Sequence, residues 1–403
     1  MNITAIDTEC TTSNKGNPFD QTNKLCAIAG RASTELGLSA WAHKIEHDAE
    51  PYGEAITWWK VWLAEDVDLL VGFNLKFDLN WLHRYGIVYH GRIWDCQLFE
   101  HFASSMLWIY PSLAESCVKR GVNGNKYEDI VTQYWDKGID TTEIPWEIVE
   151  KRVTSDAILT YNLYIKQLDE YHTWSKARQN LFQLQCQDLL VLHEIERNGF
   201  HYDEEKGKEE AGKTQCVLDT ITHAIHALIR DTRPNLNSNV HVSAILYGGT
   251  VAYKRQIEDG TYKTGQKVGQ TRLRWIAEEV VYPRLVIPFK DSETEKEGVW
   301  SVDKNMLGRY LLKKLGKIPR TLIMLLLQHA NESRKLSTYL EGLSKTIAQM
   351  HWEPNMLHGT INQVTVRTGR TSSSRPNIQN LAGDLKFLFT SRYGHKDQDF
   401  ITL

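Results

Sequence analysis

The sequence predicts a chain that begins with an α/β domain, in which a mixed sheet is flanked by helices, and continues as a mainly helical region. Short apolar stretches of strand character alternate with segments of helical periodicity over the first 165 residues. Residues 166–248 and 303–350 are mostly helical in pattern, whereas Gly, Lys and Thr are frequent within 249–300. Strands that alternate with helices are typical of a sheet covered by helices.

Four strands and three helices are predicted in the first domain from the spacing of apolar residues. The strands are NITAID (2–7), LCAIAGRA (25–32), LSAWAHK (38–44) and DLLVGFN (68–74). The helices are YGEAITWWKVWLAED (52–66), FDLNWLHRYG (77–86) and a long segment after Pro145 that contains Asp156. Downstream, 249–300 is predicted to be a β-rich insertion or hairpin, and the terminal DQDFITL (397–403) has the apolar pattern of a strand.

Composition favours a globular protein with reduced thiols. Hydrophobic residues make up 41% of the 403 positions, which is too many for a disordered chain. No apolar run approaches the roughly 20 residues of a membrane span, and the first residues do not resemble a signal peptide. The six cysteines form no C-x-x-C pair, which argues against a thiolate zinc site. We therefore expect a cytoplasmic protein.

The two halves of the chain carry opposite charge. Residues 1–165 contain 14 Lys and Arg against 23 Asp and Glu, whereas residues 166–403 contain 33 against 27. An acidic front and a basic back fit a carboxylate metal site joined to a surface that binds a polyanion. Two domains with different solvated faces would give the same asymmetry, so charge leaves both interpretations open.

Four acidic residues have the local context of a metal site. Asp7 and Glu9 lie two apart at the end of the first strand, so their side chains project from the same face. Asp78 follows the buried strand DLLVGFN, and Asp156 lies within a helix. Each acid alone is more often a solvated residue. Hydrolysis of phosphodiesters by two metal ions requires acids from separate elements that converge.

In this order, the segments AIDTE, GFNLKFDLNWL and the Asp156 helix resemble the three exonuclease motifs of the DEDD superfamily, found in the proofreading domain of family A DNA polymerases. The resemblance implies a ribonuclease H-like domain that holds two divalent ions, Mg²⁺ or Mn²⁺. It further implies that Asp7 bridges both ions, that Glu9 and Asp156 complete the site that activates water, and that Asp78 holds the second ion. The segments WDCQLFEHF (94–102) and SLAESCVKRG (112–121) resemble the stretches that follow the second motif.

One position departs from the family pattern. Arg152 occupies the place of the usual Tyr, four residues before the last acid, and Lys151 occupies the place of the His of a sister group. Arginine cannot accept a hydrogen bond from water, so it cannot orient the attacking water in the same manner. Either another side chain, with Tyr161 as a candidate, orients the water, or hydrolysis is slower.

A second string, VTVRTGRTSSSRPNIQNL (364–381), resembles the signature that opens the palm of family A polymerases. It combines a long cation, Arg370, with hydroxyls and a turn at Pro376. Cations and amides can bond to minor-groove acceptors that look alike in every base pair, whereas hydroxyls suit phosphates. The side chains expected to contact DNA here are Arg370, Asn377, Gln379 and Asn380.

The stretch ESRKLSTYLEGL (332–343) resembles a thumb helix, in which Lys335, Ser337 and Thr338 would face the duplex while Leu336 and Leu340 pack inward. Without the resemblance, this helix is simply basic and amphipathic. The domains expected are an exonuclease domain at 1–170, a polymerase N-terminal region and thumb at 171–355, and an incomplete α+β palm at 356–403.

The expected function is therefore a metal-dependent 3′→5′ proofreading exonuclease joined to the part of a family A polymerase that binds primer–template DNA. In the family, the run corresponding to DFITL (399–403) leads into the first catalytic Asp of the palm. We expect a second polypeptide to supply the fingers and catalytic palm, as in a split bacteriophage polymerase, although a shortened chain would give the same sequence. The alternative is a non-catalytic subunit that binds DNA and docks the polymerase, with a vestigial exonuclease site.

Overall fold

The computed structural model describes residues 2–35, 37–47, 52–123, 128–265, 267–381, 383–390 and 392. The chain forms two compact units, one of residues 1–204 and 343–403 and the other of residues 205–342. Within the described residues, no helix is both long and apolar enough to cross a membrane. The predicted division into 1–170, 171–355 and 356–403 stays a prediction.

A mixed sheet forms the centre of the first unit. Its described strands are β1 (Ile3–Cys10), β2 (Leu25–Thr34), β3 (Gly37–Lys44), β4 (Leu69–Gly72) and β5 (Arg92–Asp95). Their order is β3-β2-β1-β4-β5, in which β1, β2 and β3 are antiparallel neighbours and β4 and β5 run parallel to β1. The predicted mixed sheet and its four predicted strands are confirmed. The sequence did not predict β5, whose residues RIWD place only two apolar side chains between two charged ones.

Helices cover this sheet. They are α1 (Gly53–Val61), α2 (Leu75–Arg84), α3 (Cys96–Ala103), α4 (Leu113–Lys119), α5 (Glu128–Asp136), α6 (Trp146–Tyr171) and α7 (Lys176–Asn198), after which comes strand β6 (Phe200–Tyr202). Trp59, Trp81 and Phe99 are fully buried in the core between sheet and helices. The predicted helix at 52–66 is present, but α1 ends at Val61 and continues as a π-helical turn.

The long helix α6 packs on one face of the sheet through small side chains. Ala27 and Ala29 of β2 are fully buried against Val149, Val153 and Ala157. These α6 residues recur at a spacing of four, so they form one stripe of the helix. The alanines leave room for α6 to lie close to the sheet beside β1, and Asp156 is adjacent to this stripe.

The second unit is mainly helical with one long hairpin. Its helices are α8 (Glu204–Ile229), α9 (Asn239–Tyr247), α10 (Lys304–Leu311) and α11 (Lys317–Arg334), and its strands are β7 (Gly249–Thr261) and β8 (Thr271–Tyr282). Among the residues that the structure describes, the two strands pair only with each other, in antiparallel register. The predicted hairpin within 249–300 is therefore confirmed, and so is the helical pattern on either side of it.

After α11 the chain passes through a π-helical turn, Lys335–Leu340, into α12 (Glu341–Gln349). The remaining strands are short: β9 (Met356–Leu357), β10 (Thr360–Asn362), β11 (Ser372–Ser374) and β12 (Phe389–Thr390). Strand β6 pairs with both β9 and β12, whereas β10 pairs with β11. The predicted strand at 397–403 lies outside the described residues.

Candidate metal centre and nucleic-acid interface

All four acids that the sequence singled out line one open pocket of about 490 Å³ in the first unit. The residues lining it are Asp7, Thr8, Glu9, Cys10, Thr11, Thr12, Lys15, Gly16, Phe73, Phe77, Asp78, Trp135, Arg152 and Asp156. Carboxylate oxygens of Asp7, Glu9 and Asp156 lie within 4.8 Å of one another. The structure therefore brings together acids from one strand and two helices, although their sequence positions span 150 residues.

Strand β1 positions two of the acids at the end of its pairing with β4. The two strands pair from Ile3 opposite Leu69 to Ala5 opposite Val71, and β1 continues to Cys10. Asp7 and Glu9 lie in this continuation and are two residues apart, so both side chains project to the same face, as predicted. Glu9 is buried, whereas Asp7 is partly exposed toward the pocket.

Asp78 reaches the pocket from the first turns of α2. The carboxylate of Asp95 accepts a hydrogen bond from the backbone N–H of Leu75 at 2.6 Å and another from Leu98 at 2.7 Å. Asp95 thus holds the starts of α2 and α3 together by satisfying N–H groups that helices leave unpaired. With α2 fixed, Oδ1 of Asp78 accepts a hydrogen bond of 2.6 Å from the Thr8 hydroxyl.

Burial and mutual repulsion destabilise the charged form of these acids. Burial, followed by the neighbouring Asp156, Asp78 and Glu9, holds the pKa of Asp7 well above its usual range. Burial is also the main reason that the pKa of Asp78 is raised to about 8, against the opposing hydrogen bond from Thr8. Carboxylates crowded in this way are stabilised by an added cation, which favours the charged form of each.

Arg152 supplies one positive charge at this site. Its Nε donates to the carboxylate of Glu9, and its guanidinium lies 4.7 Å from the centre of the Trp135 ring. Burial opposes the charge of Arg152, yet the attraction of Glu9, Asp156 and Asp7 raises its pKa. Arg152, which departs from the family pattern, therefore forms an ion pair with Glu9 and does not face solvent.

Several contributors were not predicted from the sequence. Thr8 and Trp135 line the pocket, and no motif pointed to either. Asp95 was included in the segment 94–102 but was given no role, although an Asp directly before a helical pattern is an N-cap signal. Tyr161, the suggested substitute for the missing Tyr, is buried in the hydrophobic core and does not line the pocket. That suggestion is wrong.

The donor set suits hard divalent cations. Carboxylate oxygens are the ligands that Mg²⁺ and Mn²⁺ prefer, and Mg²⁺ commonly binds through few carboxylates while keeping several waters. Cys10 also lines the pocket, but burial of its thiol raises the pKa, so a thiolate ligand is disfavoured. The residues present therefore fit the two ions that the resemblance implies.

The residues of the second unit that were predicted to contact DNA differ in how exposed they are. Ser337 and Thr338 are exposed, and Leu336 and Leu340 are buried as expected. The side chain of Lys335 is 15% exposed, and its Nζ lies 3.5 Å from a carboxylate oxygen of Glu210. Lys335 is thus already engaged within the protein, and its contact with a phosphate stays a prediction.

The palm string, residues 364–381, contains strand β11 and the helical turn Ile378–Asn380 that follows it. Arg370, Asn377, Gln379 and Asn380 are all exposed. Ser373 is buried, donates to Oδ1 of Asn377 at 3.0 Å and accepts from the backbone N–H of Gln379 at 3.1 Å. This serine therefore shapes the turn that presents the two amides. The contacts of the four exposed side chains with DNA stay predictions.

Comparison with known proteins supports a DNA polymerase relationship. Residues 277–395 match the sequence family described as DNA polymerase family A. The fold is similar to the POL domain of Pol1 from M. smegmatis, solved in complex with DNA primer-template and dNTP. The TM-score is 0.61 at 16% identity, and the match covers 94% of this chain but 52% of that one. The chain thus spans about half the length of this relative, and the four acids lie outside the matched family segment.

Proposed function

We propose that this protein is a metal-dependent 3′→5′ exonuclease acting on DNA, joined on one chain to a primer–template-binding part of a family A DNA polymerase. The observation that supports the nuclease most directly is the convergence of Asp7, Glu9, Asp78 and Asp156 on one pocket. The strand order β3-β2-β1-β4-β5 supports a ribonuclease H-like domain. The match of residues 277–395 supports the polymerase part.

The protein side chains have distinct roles in the proposed reaction. Asp7, which interacts electrostatically with each of the other three acids, would be a ligand of both ions. Glu9 and Asp156 would complete the ligands of one ion, and Asp78, whose orientation Thr8 holds, would contribute to the other. When bound, two divalent ions would supply an activated water and stabilise the charge that develops on the leaving 3′-oxygen.

Arg152 fits a positioning role in this scheme. Its ion pair with Glu9 and its contact with Trp135 fix Glu9 at the pocket wall. A permanently charged guanidinium also offsets part of the repulsion among the four acids. Because arginine cannot accept a hydrogen bond from water, Arg152 would position Glu9 rather than orient the attacking water.

The proposed exonuclease activity is tested by measuring how DNA labelled at its 5′ end is shortened. With Mg²⁺ the protein should convert single-stranded DNA into a ladder of products shortened from the 3′ end, and EDTA should stop the reaction. A circular single strand should resist, because it offers no 3′ end. Shortening that persists in excess EDTA would show that the acids do not act through metal ions.

A matched pair of variants on α6 ties the activity to the pocket. Asp156→Asn removes one acid of the cluster, whereas Asp169→Asn makes the same change at an exposed position of the same helix. Removing residues that only support the ligands of a metal site typically lowers metal affinity or activity by about 10–100-fold. Asp156→Asn removes a proposed ligand itself, so the rate should fall by more than about 100-fold. Equal rates for the two variants would contradict the proposal.

The ion pair between Arg152 and Glu9 favours a second candidate function, a DNA-binding subunit without nuclease activity. In that case the guanidinium replaces a metal ion at Glu9, and the remaining acids are a remnant. The same assay separates the two candidates. A folded preparation that binds primer–template DNA and never shortens it in Mg²⁺ or Mn²⁺ supports the second.

A further inference from the structure

The β7–β8 hairpin is a two-stranded ribbon whose base packs on the core of the second unit. Its base is fixed: Val251 and Tyr282 are buried, and the Tyr282 hydroxyl donates to Asp231 at 2.5 Å. Farther out, Arg255 pairs opposite Ile276 and Glu258 opposite Leu273. In this distal part the side chains are exposed or only half buried on both faces.

The distal part is strongly basic. Residues 254–275 contain six Lys and Arg against two acidic residues, a net charge of +4. Arg272 is paired with Asp259 at 2.6 Å. The other cations are exposed and form no ion pair within the described residues. They are Lys254, Arg255, Lys263, Lys267 and Arg274.

These cations are distributed over both faces of the ribbon and its tip. Directly opposed residues of an antiparallel pair share a face, and neighbours along a strand alternate. Arg274 is opposite Ile257 and therefore shares a face with Arg255. Trp275, opposite Gln256, shares the other face with Lys254 and is 60% exposed. Lys263 and Lys267 lie in the connecting loop.

We propose that the described residues of the ribbon, 254–265 and 267–275, bind double-stranded DNA by lying in its major groove. This groove is about 12 Å wide and admits a two-stranded β-ribbon. Its two walls carry phosphates, so cations on both faces of the ribbon have partners, whereas a single strand offers one backbone. Exposed Trp275 and Leu273 add apolar surface toward the groove. The inference rests on the proposed DNA-binding function and adds a contact that the family resemblance did not predict.

The experiment measures equilibrium binding of a labelled blunt duplex and a single strand of equal length, in EDTA and over a range of salt. The ribbon variant combines Lys254→Gln, Arg255→Gln and Arg274→Gln. If three phosphate contacts are lost, the slope of log K against log salt concentration should become shallower by about 2.7. Duplex affinity at low salt should fall by about tenfold or more.

A charge-matched control combines Lys60→Gln, Lys166→Gln and Lys176→Gln, three exposed lysines of the first unit. It loses the same net charge and should keep duplex affinity near that of the wild type. A second ribbon variant, Trp275→Glu, alters no cation and should also weaken duplex binding. Thermal unfolding of each variant shows that any loss does not come from an unfolded protein.

The proposal is overturned if both ribbon variants bind duplex like the wild type, or if the charge-matched control loses as much affinity. It is also overturned if the ribbon variants lose single-strand affinity as strongly as duplex affinity, because a groove contact requires two backbones. Failure of the nuclease proposal would instead show as intact DNA after incubation of the wild type with Mg²⁺. Because the binding comparison is made in EDTA, its result does not depend on nuclease activity.

Discussion

Two of the places in the first unit that bury carboxylates stabilise the charge in opposite ways. Glu100, on α3, is fully buried and receives hydrogen bonds from Arg120, Lys119 at 2.9 Å and Gln167 at 3.0 Å. The acidic pocket, defined as Asp7, Glu9, Asp78 and Asp156, gathers four acids around Arg152. Three hydrogen-bond donors, two of them cationic, stabilise the single charge of Glu100. The four acids of the acidic pocket receive fewer donors for each carboxylate.

The pKa values follow this difference. Burial raises the pKa of Glu100, but the hydrogen bonds from Arg120, Lys119 and Gln167 outweigh it, and the pKa lies below its usual range. In the acidic pocket burial and like charges act together, and the pKa of Asp7 and of Asp78 is raised. A buried charge is tolerated when it is paired. The contrast indicates that Glu100 serves the fold, and it supports the proposal that the acidic pocket takes up cations from outside.

The largest expected effect concerns activity. Asp7→Asn removes the acid that interacts with all three others, so the rate of 3′ shortening in Mg²⁺ should fall by more than about 100-fold. Arg120→Lys, which keeps a cation at Glu100, should leave the rate within a few-fold of the wild type. Rates are compared by product ladders on single-stranded DNA. A similar loss in both variants would mean that the two carboxylate sites do not differ in function.

The next effect concerns stability at Glu100. Arg120→Ala leaves a buried carboxylate without its closest cation, which typically costs about 3–5 kcal/mol. The free energy of unfolding from urea titration should fall by that amount. Arg120→Lys should recover part of it. A loss below about 1 kcal/mol, the size typical of an exposed pair, would contradict the role given to this ion pair.

Arg152→Gln should have a smaller effect on stability, and one that depends on metal. The glutamine amide can still donate to Glu9, so the free energy of unfolding in EDTA should fall by about 2 kcal/mol. Mn²⁺ should stabilise this variant more than the wild type, because an added cation replaces the lost charge. The measurement is the difference in Tm with and without Mn²⁺. A difference equal to that of the wild type would show that Arg152 and the metal do not share the same acids.

The last effect is a gain in stability, and it depends on pH. Asp78 has a folded pKa of about 8 against an ordinary value of 3.8, so its contribution to stability is full below pH 4 and is lost as pH rises toward 8. Asp78→Asn cannot ionise and avoids this loss. In EDTA at pH 8 the free energy of unfolding of the variant should be higher than that of the wild type, with little difference at pH 4. A variant that is less stable than the wild type at pH 8 would contradict the raised pKa assigned to Asp78.

The sequence predicted the sheet and most helices because their apolar periodicity is strong. It also predicted that Asp7 and Glu9 share a face, since two residues apart on a strand do so. It could not show that Asp78 and Asp156 meet them, because periodicity does not say which elements become neighbours. That expectation came from the resemblance to exonuclease motifs, and the pocket brings all four together.

Other contacts could not be read from the sequence because they join distant segments. Arg152 and Glu9 are 143 positions apart, and the sequence signalled only a missing Tyr. Lys335 was expected to face the duplex, but its Nζ lies 3.5 Å from Glu210, which is on a separate helix. The hairpin was predicted as β-rich from its composition. Its exposure on both faces depends on what packs against it, which only the folded chain reveals.

The most direct test of the acidic pocket as a metal centre is calorimetric titration of the wild type and Asp7→Asn with Mn²⁺. The wild type should bind the ion with a saturable signal that EDTA reverses, and Asp7→Asn should lose most of that binding while Glu100→Gln keeps it. Equal binding by the wild type and Asp7→Asn, or none by the folded wild type, would contradict the assignment.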